Sequence, residues 1–82
     1  MTKQEEIRED HDELTGTELA VLDLLSKGLT NYAIANSLFI SINTVVHHLN
    51  HIYSKLNIPE NRHKRVMAMR YHLIAQGIIK EE

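Results

Sequence analysis

The chain has 82 residues, with nine Lys or Arg against eleven Asp or Glu, six His, no Cys and a formal net charge of −2. That length suits one small domain with a modest core, which a partner binding only the folded form would stabilise further. The composition excludes a disulfide framework and a thiolate metal site, and no apolar run approaches the ~18 residues of a membrane span.

The acidic, polar start "MTKQEEIRED" does not read as a secretory signal, so the expected compartment is the cytoplasm. Charge is unevenly placed. Residues 1–13 carry six acids (Glu5, Glu6, Glu9, Asp10, Asp12, Glu13) against Lys3 and Arg8. From Ser26 to Lys80 there are seven bases against one acid, Glu60, with five of the six histidines in the same span. The reading is an acidic flexible leader over 1–13 and a basic domain over 14–82. A local positive field, rather than the net charge, is what attracts phosphate.

No segment alternates with a period of two, and helix punctuation divides the chain into four helices, an all-α fold. The first opens at "LTGTEL", where Thr15 is an N-cap with Glu18 three residues on, a capping box. Leu14 is placed to pack on Leu19 as a staple. Leu19, Leu22 and Leu25 share a stripe with Val21 beside it, and Gly28 ends the helix. The second follows Thr30 through "NYAIANSL", with Ala33, Ile34 and Leu38 as its apolar side. After the tight connection "FIS", Ser41 caps a third helix from Ile42 to about Leu56, which Asn57 and Pro59 stop. The fourth is expected to begin at Asn61 and end at Gly77, with Ile78 and Ile79 folding back onto the core. The short connection between the second and third helices makes a helix-turn-helix unit.

In the third helix, side chains advance about 100° per residue, which gathers Val45, Leu49, Ile52 and Leu56 into one inward stripe. Asn43, His47, Asn50, His51 and Ser54 lie opposite, with Val46 and His48 on the flanks. From Ile42 to Ser54 there is no Lys or Arg. This outward face offers amide, imidazole and hydroxyl groups. Asparagine can bond adenine bidentately, histidine can donate to guanine, and an apolar side chain can touch a thymine methyl. Fixed charge for phosphates must come from elsewhere. Lys27, Lys55, Arg62 and Lys64 are the candidates, with the exposed N-termini of the second and third helices and the hydroxyls of Thr30 and Thr44.

His47 and His51 stand four apart, a spacing two metal-binding imidazoles can share, but no carboxylate or cysteine nearby in sequence completes a site. No metal or cofactor is expected. No glycine-rich phosphate loop, carboxylate pair or nucleophile signature is present either, and the chain does not read as an enzyme. "NRHKR", residues 61–65, is a basic cluster at a helix start. The fourth helix has two apolar stripes: Val66, Met69 and Leu73, and Met67, Tyr71, Ile74 and Ile78. One can close the core while the other is left for a partner.

The segment "LTGTELAVLDLLSKGLTNYAIANSLFISINTVVHHLNHIYSKLNI", Leu14 to Ile58, resembles the LuxR/GerE-type helix-turn-helix family of bacterial transcription regulators. The resemblance is carried without a gap by Leu14, Thr15 and Glu18; by "LL..GLTN..IA..L" from Leu24 to Leu38; by "IS..TV..H" from Ile40 to His48; and by "I..KL.I" from Ile52 to Ile58. It implies a four-helix, sequence-specific DNA-binding domain whose third helix enters the major groove and whose fourth pairs two subunits. The expected partners are double-stranded DNA and a second copy, with RNA polymerase a further candidate and no membrane.

The expected base contacts are Asn43, Val46, His47, Asn50 and His51; the expected phosphate contacts are Thr30, Thr44, Lys55 and Arg62; the expected dimer surface is Met67, Tyr71, Ile74 and Ile78. The sequence departs from the family pattern in three places. Thr17 stands where arginine is common, and Val46 where lysine or arginine is usual. The stretch from Ile58 to Gly77 is about five residues longer, which leaves Arg62 and Arg65 as alternatives for the arginine that opens the fourth helix. An alternative function follows from the neutral reading face. The same fold would serve as an interaction module or antagonist that pairs with another regulator through the fourth helix and binds DNA weakly or not at all.

Overall fold

A computed structural model describes residues 14–59 and 63–78, and the expected acidic leader lies outside them. Four α-helices, and no strand, occur among the described residues: α1 (Gly16–Ser26), α2 (Asn31–Leu38), α3 (Ile42–Lys55) and α4 (Lys64–Ala75). This is the all-α, four-helix arrangement expected.

Three of the four helix starts are built by local side chains. Thr15 Oγ1 accepts from the Glu18 amide at 3.1 Å, and Glu18 Oε1 accepts from the Thr15 amide at 2.9 Å, which closes the capping box. Thr30 Oγ1 accepts from the Ala33 amide and Ser41 Oγ from the Thr44 amide. Each satisfies a donor that would otherwise lack an intrahelical partner. Gly28 and Asn57 take positive φ, as expected of stop positions. Phe39 also does so, with φ 58, in the turn between α2 and α3. The Ile40 amide there returns to the Ala35 carbonyl at 3.0 Å.

The core joins all four helices. Val21, Leu22 and Leu25 of α1, Ile34 and Ala35 of α2, Val45, Leu49 and Ile52 of α3, and Ala68 of α4 are buried together, with Leu14 at the entry. Leu56 packs against them from the end of α3. The inward stripe expected of the third helix is therefore the one observed.

Three expectations are corrected. Leu19 is 46% exposed and does not belong to the α1 core stripe. Its place is taken by Glu18, because residues 18, 21, 22 and 25 follow the one-face spacing of a helix and the Glu18 charge finds a partner inside. Helix α4 opens at Lys64 rather than Asn61, which lies outside the described residues; its N-cap, His63, makes no side-chain cap bond. The opening of α4 is instead tied by a tertiary contact. Arg65 donates from Nη1 to Asn31 Oδ1 at 2.7 Å and from Nη2 to the Leu29 carbonyl at 2.8 Å. Finally, the core face of α4 is Ala68 and His72, flanked by Met69 and Leu73. Val66 is 61% exposed, and Ile78 stays at the surface instead of folding inward; Ile79 lies outside the described residues.

Candidate nucleic-acid interface

Helix α3 owes its orientation to the burial of Val45, Leu49 and Ile52. Since these point inward, Asn43, His47, Asn50, His51 and Ser54 are exposed, and His48 is half-buried on the flank. The structure thus brings four of the five expected base-contact residues onto one outward surface. Val46, the fifth, lies beside them and is 40% exposed. The His47 and His51 rings stack at a tilt, with centroids 4.2 Å apart. Among the described residues no group of three or more His, Cys, Asp or Glu side chains is placed to hold a metal ion.

The C-terminal half of α3 is anchored to α1 by Glu18. Its side chain is 4% exposed and accepts from Lys55 Nζ at 2.8 Å, while His51 Nδ1 stands 3.7 Å from its other oxygen. Burial alone would push the Glu18 carboxyl up. The Lys55 hydrogen bond, the Thr15 amide and the charges of Lys55 and His51 outweigh it and hold the group below the usual glutamate range. The Lys55 ammonium, expected at a phosphate, is bonded to a carboxylate inside the fold. In the sequence Glu18 is legible as a capping-box member and, by spacing, as part of the buried stripe, but its partner stands 37 positions away and is not.

The remaining phosphate candidates divide. Thr30 is exposed, and its hydroxyl oxygen caps α2 while its proton remains able to donate. Thr44 is half-buried, and its hydroxyl exchanges a 2.8 Å hydrogen bond with Ser41. Arg62 lies outside the described residues. Arg65, one of the two arginines that offered themselves for the opening of the fourth helix, is built into the fold. Lys27 pairs with Asp23 at 3.3 Å on the surface, and that carboxyl is lowered, first by the Lys27 hydrogen bond. Lys64 lies over the Tyr53 ring, 5.8 Å from its centroid. Burial pushes the Tyr53 hydroxyl up against the opposing charges of Arg65 and Lys64.

On α4, Met67, Tyr71 and Ile78 are exposed and Ile74 is half-buried, so the four expected dimer residues share one outward side of the helix and its end. Val66 adds to the apolar surface nearby. His72 was not anticipated. It is buried against α1, its Nε2 lacks a hydrogen-bond partner among the described residues, and it stands 3.6 Å from Asp23 Oδ1.

This geometry can be set beside known proteins. The family described as bacterial regulatory proteins, luxR family, matches residues 12–70. The chain belongs to the LuxR family. Over 64 residues, 78% of this chain, it is 42% identical to the transcriptional regulatory protein LiaR of Bacillus subtilis, covering 30% of that protein. It is 34% identical over 64 residues to the response regulator protein VraR of Staphylococcus aureus, covering 31% of it. A shorter match, 52% over 46 residues, covers 5% of the putative HTH-type transcriptional regulator Rv0890c of Mycobacterium tuberculosis. The chain thus spans less than a third of the length of these relatives. No solved structure gave a match. Among the described residues, the outer face of α3 from Ile42 to Ser54 carries no Lys or Arg.

Proposed function

We propose that this LuxR-family chain is the DNA-binding part of a bacterial transcription regulator, acting in the cytoplasm as a dimer. Helix α3 reads the major groove, and two copies paired through α4 span half-sites about one helical turn apart. The observation that carries this reading is the outward amide and imidazole face of α3, fixed by the burial of Val45, Leu49 and Ile52. Base contacts are assigned to Asn43, Val46, His47, Asn50 and His51, and phosphate contacts to Thr30, Thr44 and Arg62. Lys55 is assigned a positioning role through Glu18. The dimer surface is Met67, Tyr71, Ile74 and Ile78, and RNA polymerase is a candidate further partner. No catalytic or cofactor role is part of this reading.

A second reading is favoured by one observation. Lys55 and Arg65, two cations of the described part, are bonded within the fold. An antagonist that pairs through α4 and binds DNA weakly would be built this way. Selection of binding sites from a random duplex pool, with gel shift at low salt and oligomeric state measured alongside, separates the two. Recovery of a dyad-symmetric site supports the regulator. Binding to no duplex at micromolar protein sinks it in favour of the antagonist.

A further inference from the structure

The outer surface of α3 is not uniformly polar. Ile42, at the first position of the helix, is 44% exposed, and Val46, one turn later, is 40% exposed. Residues four apart on a helix stand in one row, so Ile42, Val46 and Asn50 form a line along one edge of the outward face. Asn43 and His47 run beside it. The half of α3 that leads into a groove therefore presents two branched apolar side chains followed by an amide. Neither is drawn into the core, which takes Val45 and Leu49 from the same turns.

In the major groove of B-DNA the base edges offer hydrogen-bond donors and acceptors and one apolar group, the 5-methyl of thymine. Two exposed branched side chains on a face continuous with Asn50 have no other complement there. Removing a methyl and its apolar contact from water is favourable, whereas setting Ile42 or Val46 against an unsatisfied base donor or acceptor is costly. A turn of helix rises about 5.4 Å, so what Val46 and Asn50 touch lies within roughly two base pairs.

We propose that Ile42 and Val46 are specificity determinants that read thymine 5-methyl groups in each half-site, next to an adenine read by Asn50. This rests on the DNA-binding reading above and deepens it. The operator half-site is A·T-rich at the positions under the first two turns of α3, and its discrimination comes from methyl contact rather than from a charged side chain.

The test uses the full 82-residue chain and the duplex it selects from a random pool. Each thymine of one half-site is replaced in turn by deoxyuridine, which keeps every hydrogen-bonding group and removes only the methyl. Affinity is then measured by fluorescence anisotropy at fixed salt. At one or two thymines, loss of the methyl is expected to weaken binding by about fourfold. Val46→Ala and Ile42→Ala, whose side chains are exposed, are each expected to abolish the deoxyuridine effect at one of those positions. A selected duplex whose affinity is indifferent to deoxyuridine everywhere overturns the methyl-reading proposal while leaving DNA binding intact. So does a methyl effect that both variants retain in full. Selection of no duplex overturns the DNA-binding reading and the proposal together.

Discussion

Asn50 and Glu18 face opposite ways and fail differently when altered. Asn50 is exposed on the outward face of α3, so Asn50→Ala removes the base contact proposed for it without disturbing the core. It is expected to cost roughly 1–3 kcal/mol of DNA affinity and to relax preference at one base pair, which repeat selection with the variant checks. Glu18 acts inside the fold. Its carboxyl is lowered in the folded state, so the stabilisation it gives is present above the ordinary glutamate range and is lost as pH falls through and below it. Thermal melts between pH 7 and pH 3 are expected to show this decline, and Glu18→Gln to show a lower melting temperature at pH 7 with a shallower acid dependence. Lys55→Ala removes the partner of the same buried carboxylate. It is expected to lower stability by about 2 kcal/mol while leaving the salt dependence of DNA binding unchanged. A slope reduced by about one would return Lys55 to the phosphates.

At the scale of elements, α1, α2 and α3 begin where their own sequences say, because Thr15, Thr30 and Ser41 each bond an amide three residues on. Helix α4 begins differently. Its N-cap is silent, and Arg65 reaches across to Asn31 and the Leu29 carbonyl at the start of α2. Arg65→Ala is therefore expected to destabilise the domain by roughly 2 kcal/mol in urea denaturation, within the range for hydrogen bonds to a charged group. Arg65→Lys is expected to recover little, because an ammonium does not reproduce the planar two-nitrogen fork. An Arg65→Ala variant as stable as the parent would show the clamp to be incidental. The core faces of α1 and α4 illustrate why apolar periodicity alone misleads. Leu19 and Val66 are apolar and exposed, whereas Glu18 and His72 are polar and buried. A stripe is defined by what packs against it, and a polar side chain joins when a neighbouring element brings it an opposite charge or a close polar partner.

For the molecule as a whole, the decisive surface is the apolar side of α4. Exposed Met67 and Ile78, with Val66 nearby, leave an area that pairing through α4 would cover. The double variant Met67→Glu, Ile78→Glu alters two exposed positions and should leave the fold intact. It is expected to convert a dimer to a monomer in sedimentation velocity and to reduce affinity for a two-half-site operator to nearly that for a single half-site. A variant that remains dimeric would place the partner surface elsewhere.

Sequence by itself determined the all-α class, the caps of the first three helices, the inward stripe of α3 and the LuxR-family resemblance, because each is written in residues a few positions apart. Capping and periodicity are local physics, and the neighbours that matter are neighbours in the chain. Only the tertiary structure decided that Lys55 belongs to Glu18, that Arg65 ties α4 to α2, that His72 lies buried against α1, and that Ile42 stands exposed beside Val46. These join or separate residues up to 37 positions apart, as for Lys55 and Glu18. Which of several apolar or charged side chains a helix buries is settled by the shape and charge of the surface it meets, and that surface exists only once the four helices have packed.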